Sequence, residues 1–212
     1  MKQKKSELPR KPRVPRHAVP QSHEVRIIGG QWKRTKLAVA DRPGLRPTPD
    51  RVRETLFNWL GQDLTGWRCI DAFAGTGALG FEVASRGARE VTLVEHDGAL
   101  VAQLKRVQTQ LQASATQIVR GDGVAALKHL DAASMDAVFL DLPFDSVLFE
   151  SAVLAAGRAL APEGFVYLEA PILWTDDQLL SVGLTVHRYL KAGAVHAHLL
   201  KRRPLNNAPA SL

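Results

Sequence analysis

From residue 67 onward, short apolar runs alternate with segments whose apolar residues recur at helical spacing. The apolar runs read CIDAF, VTLVE, TQIVR, DAVFLD and GFVYLEA. The helical segments between them cover residues 78–86, 98–111, 124–130 and 147–160. Alternating strands and helices are typical of βαβ units, whose parallel sheet carries helices on both faces. The pattern therefore predicts an α/β fold with a mainly parallel sheet.

At both ends of the chain the alternation of strands and helices is replaced by a predicted hairpin. Near the C-terminus, the runs LTVHRYL and AVHAHLLKR are joined only by Lys191-Ala192-Gly193, which is too short for a parallel crossover. These runs are expected to form an antiparallel hairpin at the sheet edge. Near the N-terminus, the β-prone runs 25–28 and 36–39 flank Gly29-Gly30 and a basic tip, which predicts a second hairpin.

One more helix is predicted between the N-terminal hairpin and the sheet, in RPTPDRVRETLFNWL. Thr48 or Asp50 can cap it, and Pro49 can occupy its first turn. A buried stripe is expected at Val52, Leu56 and either Trp59 or Leu60. Three arginines fall outside this stripe and are assigned to RNA binding: Arg46, Arg51 and Arg53.

Length and composition favour one domain with a small appendage, because the chain has 212 residues and 45% apolar content. We expect a disordered basic arm over 1–22, a hairpin and loop over 23–48, the main domain over 49–203 and a flexible tail over 204–212. No apolar run is long enough to cross a membrane, and the N-terminus lacks the apolar stretch of a signal peptide. The single cysteine, Cys69, excludes an intramolecular disulfide and a multi-cysteine metal site. A cytoplasmic monomer without metal is expected.

Positive charge is concentrated at the N-terminal end. Residues 1–60 carry 15 Lys and Arg against 5 Asp and Glu, whereas residues 61–212 carry 13 against 16. Such a basic arm is suited to a polyanion, because Lys and Arg release counterions condensed on phosphates. A solubilising tail is the alternative. In the hairpin tip, Trp32, Lys33 and Arg34 suit contact with RNA bases and phosphates, although Trp32 could equally cap the hairpin's own core.

A nucleoside site is indicated by CIDAFAGTGALG, which places Gly75, Gly77 and Gly80 in a G-x-G-x-x-G spacing between a strand and a helix. Glycines let the backbone turn sharply and approach a ligand closely. Glu95 follows Gly75 by 20 residues at the end of the next strand, where a carboxylate can accept hydrogen bonds from ribose hydroxyls.

The nature of the nucleoside depends on Asp71. A nicotinamide dinucleotide would place its pyrophosphate near this carboxylate, and like charges repel. The ammonium of an amino-acid moiety would meet Asp71 favourably, which favours S-adenosyl-L-methionine over the nicotinamide alternative. Asp122 can accept from the adenine amine or only cap the following helix. The remaining residues assigned to this cofactor site are Thr48, Phe73, His96 and Gly123.

The stretch DLPFD follows the fourth strand of the predicted sheet. Ligands bind beyond the carboxyl ends of such strands, so Asp141 is expected beside the cofactor loop. A carboxylate that accepts an amine's N–H bonds localises the nitrogen lone pair for methyl transfer and helps to manage the departing proton. Phe144 can stack on a flipped base. The alternative is that Asp141 merely ends a strand and caps the next helix.

Together these residues resemble the bacterial small-subunit ribosomal RNA methyltransferases that modify a guanine at its exocyclic N2. The resemblance covers residues 25–145, notably RPTPDRVRETLFNWL, DAFAGTGALG, VTLVEHD and DLPFD. It implies a Rossmann-like, S-adenosylmethionine-dependent fold of seven strands with an antiparallel C-terminal hairpin. It also implies a 16S rRNA substrate within the small ribosomal subunit or an assembly intermediate.

One residue departs from the family pattern. The fourth-strand motif of the family usually has two successive prolines, and Leu142 replaces the first of them. Leucine loosens φ, but Pro143 still favours an extended residue 142, and the carbonyl of that residue remains available to the target amine. Asp141, Leu142, Pro143 and Phe144 are therefore assigned to the catalytic site. A non-catalytic RNA-binding protein and an adenine N6-methyltransferase are the alternatives.

Two histidines near the C-terminus, His196 and His198, alternate on one strand. That spacing permits metal binding, but no third ligand follows from the sequence. An exposed polar strand face is the expected interpretation.

Overall fold

The structure, a computed structural model, describes residues 24–38 and 48–204. The predicted arm, Arg46 and residues 205–212 of the predicted tail lie outside the described residues. Seven strands form one sheet in the order β5-β4-β3-β6-β7-β9-β8. They are β3 (Arg68–Asp71), β4 (Glu90–Glu95), β5 (Thr116–Arg120), β6 (Met135–Asp141), β7 (Leu160–Ala170), β8 (Leu184–Ala192) and β9 (Val195–Arg202). The first five pair in parallel, whereas β9 pairs antiparallel with both β7 and β8, as the sequence predicted.

The helices cover both faces of the sheet. They are α1 (Asp50–Leu60), α2 (Ala78–Ser85), α3 (Gly98–Leu111), α4 (Gly123–His129), α5 (Phe149–Ala159) and the short α6 (Asp176–Leu179), which continues as a 3₁₀ turn over Leu180–Val182. Successive strand residues point to opposite faces. Accordingly, Phe139 packs in the core beneath α1, α2 and α3, and Leu140 packs in the core beneath α4 and α5. The doubly wound sheet predicted from the apolar pattern is confirmed. Among the described residues, no helix is long and apolar enough to cross a membrane.

A buried carboxylate of α2 binds the loop of the N-terminal hairpin. Strands β1 (Glu24–Arg26) and β2 (Lys36–Ala38) pair antiparallel. In the loop between them, the backbone N–H groups of Ile28 and Gly29 each donate to Glu82 of α2 at 2.7 Å. Arg86 donates to the same carboxylate at 2.8 Å and 3.0 Å and lies over the Phe57 ring. The loop therefore has a fixed position relative to α2.

Helix α1 contributes a second cation to this buried carboxylate. Its apolar stripe is confirmed, but Arg53 lies within the buried face and has no exposed surface. Arg53 donates to Glu82 at 3.4 Å and to Asp50 at 2.6 Å. The prediction that Arg53 contacts RNA is wrong, because its guanidinium is enclosed and paired. The predicted cap is also wrong: Pro49 is the N-cap, and no side chain caps α1.

Strand β9 contradicts one more prediction. His198 is completely buried, so the expectation of an exposed polar face is wrong for this histidine, whereas His196 is half-buried. The Nε2 of His198 accepts from the Trp174 backbone N–H at 3.1 Å, and its ring lies against Tyr189. Burial lowers the pKa of His198. This histidine is therefore a neutral structural residue that fixes the chain after β7.

Arg53 provides a test of the buried ion pairs. Replacing Arg53 with Ala removes one of the two cations that pair with buried Glu82, and because Arg86 remains, the loss should be about 1 to 3 kcal/mol. Urea unfolding should show this loss. Arg51→Ala, at an exposed position of the same helix, should change the free energy of unfolding by at most about 0.5 kcal/mol. Equal effects of the two substitutions would contradict a structural role for Arg53.

Candidate active site

The site lies where the chain reverses its direction of travel across the sheet. From β3 the chain proceeds outward through β4 and β5, and then returns to place β6 on the other side of β3. Asp71 is the last residue of β3, and Asp141 is the last residue of β6. Ligands of doubly wound sheets bind in the crevice at this switch point. Two aspartates therefore lie at the place where the fold itself creates a ligand site.

The loop after β3 can be built only with glycine at its tightest point. Gly77 has a φ of +80°, and a Cβ there would lie 2.6 Å from the Leu104 side chain. Helix α2 begins at Ala78 without a side-chain cap. The loop thus brings the backbone, rather than side chains, to the crevice.

Asp71 is the carboxylate beneath this loop, and it is only 1% exposed. Its Oδ2 accepts from the Gly80 N–H at 3.0 Å. Its Oδ1 has no hydrogen-bond partner within the described ranges. Burial raises the pKa of Asp71 to about 7, although the N–H groups of Gly80 and Phe73 oppose the shift. A buried carboxylate oxygen without a partner fits a ligand cation.

Glu95 ends β4 beside the glycine loop. Its Oε2 accepts from the Gly75 N–H at 2.9 Å, and its Oε1 accepts from the Asp97 N–H at 2.8 Å. These bonds fix the orientation of a carboxylate that is 6% exposed. The adjacent His96 ring is exposed and lies 3.1 Å from the same carboxylate. Glu95, the predicted ribose acceptor, and His96 therefore both lie beside the glycine loop.

Asp122 and Gly123, which follow β5, are further residues of the predicted cofactor site. Asp122 caps α4, because its Oδ1 accepts from the Ala125 N–H at 2.7 Å. The capping role left open by the sequence is thus present, and the adenine contact stays a prediction. A Cβ on Gly123 would lie 2.1 Å from the Ala72 carbonyl oxygen and 3.0 Å from the Phe73 ring. Gly123 therefore allows close contact between the β3 and β5 ends.

On the other side of the crevice, Asp141 has an unexpected partner. The Thr48 hydroxyl donates to its Oδ2 at 3.2 Å. Burial raises the pKa of Asp141 well above its ordinary value, and the charges of Glu169 and Asp71 add to the shift. Thr48 was predicted as a helix cap and a cofactor contact. The structure places it 5% exposed, against the proposed catalytic residue.

The loop after Asp141 is anchored by the residue that departs from the family pattern. Leu142 is 2% exposed and packs in the core with Leu140 and Val153. Pro143 is exposed, and Phe144 is 38% exposed and lines a groove of about 1070 Å³. The Leu142 side chain therefore attaches this loop to the core through packing.

The predicted RNA contacts separate into two groups. Lys33, Arg34 and Arg51 are exposed and free to meet a polyanion. Trp32 is half-buried against the core, and its backbone N–H donates to the Ser85 hydroxyl at 2.9 Å. The core-packing interpretation of Trp32 is therefore favoured.

Two polar residues on β7 were missed by the sequence analysis. Glu169 is 3% exposed and pairs in register with Asp141. The Tyr167 hydroxyl donates to the Glu169 carboxylate at 2.7 Å. The run GFVYLEA could have indicated Glu169, because this glutamate lies near the end of an apolar strand. That end is at the same edge of the sheet as Asp141.

The raised pKa of Asp71 has a direct consequence for stability. A carboxyl whose pKa is higher in the folded chain stabilises it fully below pH 3.8, and this contribution is lost as pH rises to about 7. Asp71→Asn has no such titration. The variant should therefore gain about 3 to 4 kcal/mol over the wild type between pH 3.5 and pH 8 in denaturant unfolding.

Asp136→Asn is the control for this measurement. Burial opposes the shift, but the hydrogen bonds and charge of Arg68 lower the pKa of Asp136. That variant should lose stability relative to the wild type as pH rises through the acid range. A pH-independent difference for Asp71→Asn would show that Asp71 has an ordinary pKa.

Known proteins are similar to this chain over most of its length. Residues 25–201 match the family described as Conserved hypothetical protein 95. The ribosomal RNA small subunit methyltransferase D of Escherichia coli strain K12 is 39% identical, covering 89% of this chain and 96% of the relative. The protein of the same name from Haemophilus influenzae is 43% identical, covering 78% and 92%.

The fold is also similar to that of a solved structure. The Escherichia coli protein yhhF, proposed to be a methyltransferase, superposes with a TM-score of 0.74 at 39% identity, covering 85% of this chain and 99% of that one. The family match covers the strands that build the switch-point crevice described above. The chain belongs to the Conserved hypothetical protein 95 family, together with the ribosomal RNA small subunit methyltransferases D.

Proposed function

We propose that this protein is an S-adenosylmethionine-dependent methyltransferase that modifies the exocyclic N2 of a guanine in 16S rRNA of the small ribosomal subunit. The observation that carries this proposal is the convergence of Asp71 and Asp141 at the switch point, one on the cofactor side and one on the substrate side. The names of the relatives support ribosomal RNA as the substrate class.

The residues on the cofactor side fit S-adenosylmethionine. Asp71 offers an unpartnered carboxylate oxygen to the ligand's ammonium, and Glu95 offers an oriented carboxylate to its ribose. Phe73 and Gly123 lie at the same edge for the adenine. When bound, the cofactor supplies an electrophilic methyl group. A pyrophosphate would instead face Asp71 with repulsion, which disfavours a nicotinamide cofactor.

The residues on the substrate side orient an amine. The lone pair of guanine N2 is delocalised into the ring, so the amine is a poor nucleophile until its N–H bonds are engaged. Asp141 accepts one N–H, the Leu142 carbonyl accepts the other, and the nitrogen lone pair is thereby directed at the methyl carbon. The exposed part of Phe144 stacks on the extruded base.

RNA affinity comes from the N-terminal part of the chain. The hairpin tip carries exposed Lys33 and Arg34, and the Glu82 contacts hold the hairpin loop in a fixed position. The basic arm adds up to seven Lys and Arg over residues 1–22. These cations bind phosphates without reading the base, and the crevice selects the base.

The function is tested by supplying labelled S-adenosylmethionine with deproteinised 16S rRNA and with partly assembled small subunits, followed by mapping of the label. Label on a guanine N2 supports the proposal. Label on an adenine N6 would establish the alternative target, and cofactor binding without transfer to either substrate would support a non-catalytic protein.

Asp141→Ala tests the proposed role of the substrate-side carboxylate. The variant should fold and bind S-adenosylmethionine with nearly wild-type affinity in calorimetry. Its single-turnover methylation rate should fall by about two to four orders of magnitude, the usual effect of a positioned acid–base group. Asp145→Ala, an exposed aspartate four residues later, is the matched control and should retain the rate. Retained activity in Asp141→Ala would exclude Asp141 from the reaction.

The hairpin tip is tested by replacing Lys33 and Arg34 together with Gln. Loss of two phosphate contacts should raise the RNA dissociation constant and reduce the slope of log affinity against log salt by roughly 1.4 to 1.8. The matched control replaces Lys105 and Arg106, an exposed Lys-Arg pair on α3, with Gln. If both double variants bind RNA alike, the tip has no special role.

A further inference from the structure

Glu169 is buried beside Asp141, which is itself partly buried. The two residues are register partners on the parallel strands β6 and β7, so their side chains lie on the same face of the sheet. Tyr167, two residues earlier on that face, is fully buried and donates to Glu169 at 2.7 Å. The carboxylate of Glu169 is therefore held in one orientation beside the proposed catalytic residue.

Besides Tyr167, the charged groups that act on this pair come from two neighbouring elements. Asp71 of β3 contributes a negative charge that acts on Asp141. Arg53 of α1 contributes a positive charge that acts on Glu169, and its Nε donates to the Thr48 carbonyl at 3.2 Å. The Thr48 hydroxyl acts on both carboxyls. On β9 the residue facing Glu169 is Ala197, which carries no charge.

We propose that Glu169, oriented by Tyr167, acts with Asp141 as one proton-accepting pair for the target amine, with Glu169 as the positioning residue. This inference rests on the proposed methyl transfer to an exocyclic amine. Glu169 does not touch the base. It determines how strongly the Asp141 carboxylate attracts the proton that the amine must lose.

Methyl transfer leaves the target amine with a proton to lose. The N2 lone pair displaces the neutral thioether from the methyl carbon, and the sulfur keeps the electron pair of the broken bond. The methylated nitrogen then carries a positive charge and one proton too many. Its N–H bond breaks, the electron pair returns to nitrogen, and the proton passes to Asp141, where Glu169 shares it. The pair changes from two negative charges to one, and the proton later leaves to solvent.

The electrostatic interaction between the two carboxylates supports these roles for Asp141 and Glu169. Burial raises the pKa of Asp141 and of Glu169, and the charge of Glu169 raises that of Asp141 further. Two adjacent carboxylates repel each other, so the pair takes up one proton more readily than either residue would alone. An isolated Asp141 would be a weaker base.

The test compares single-turnover pH–rate profiles of the wild type, Glu169→Gln and Glu163→Gln. Glu163 is an exposed glutamate on the same strand and provides the matched control. Glu169→Gln should lower the plateau rate by roughly 10- to 100-fold and move the rise in rate to lower pH, because Asp141 alone loses its proton more easily. Glu163→Gln should follow the wild type. A Glu169→Gln profile with the wild-type midpoint would overturn the proposal.

Tyr167→Phe distinguishes proton management from a merely structural effect, and it keeps the test valid if Glu169→Gln does not fold. The Tyr167 hydroxyl stabilises the ionised Glu169, so its removal makes the pair hold a proton more tightly. The rise in rate should therefore move to higher pH, opposite to the shift in Glu169→Gln. An unmoved midpoint in Tyr167→Phe would contradict the proposal.

Infrared spectra of protein with ¹³C-labelled carboxyl groups separate this inference from the proposed function. Beyond the contribution of Asp71, the wild type should show a protonated-carboxyl band that disappears with rising pH, and in both Glu169→Gln and Asp141→Asn this disappearance should occur at lower pH. If the wild type methylates no RNA but shows this band, the proposed function fails and the pair stands. If it methylates RNA and Glu169→Gln leaves the Asp141 titration unchanged, the pair fails and the proposed function stands.

Discussion

Burial of carboxylates at the switch point of the sheet is the constraint on which the rest of the site depends. Asp71 and Glu169 are 1% and 3% exposed, and Asp141 lies between their strands. A buried charge is costly unless it is paired, and the described chain supplies only hydroxyls, backbone N–H groups and Arg53 nearby. This unbalanced negative potential suits a cationic cofactor and a reaction that releases a proton. In the proposed function, the residual cost to folding would serve cofactor binding and methyl transfer.

The elements that precede the sheet act as a support for this site. Glu82 fixes the hairpin loop to α2, the helix that follows the glycine loop. Arg53 binds the same carboxylate and also holds the Thr48 carbonyl, while the Thr48 hydroxyl reaches Asp141. A continuous set of hydrogen bonds therefore connects the hairpin with the substrate side of the crevice. RNA bound at the hairpin tip would meet a site whose position is already fixed.

Sequence reasoning was most successful where one pattern determines one structure. The alternation of strands and helices, the glycine loop and the final hairpin follow from local spacing, and the structure shares them. It failed where burial depends on distant partners. Arg53 looks like a surface cation until Glu82 is placed beside it, and His198 looks exposed until Trp174 covers it. The role proposed for Glu169 depends on its register with Asp141, and no local sequence pattern indicates that register.

If S-adenosylmethionine binds as proposed, Asp71 should give up a proton to pair with the ammonium of the ligand. This central claim is tested most directly by calorimetric titration of S-adenosylmethionine at pH 7 in buffers with different ionisation enthalpies. Because the pKa of Asp71 is about 7, binding should release about half a proton from the wild type. Binding to Asp71→Asn should be weaker and release none. Tight binding without proton release in the wild type, or unchanged release in Asp71→Asn, would contradict the account.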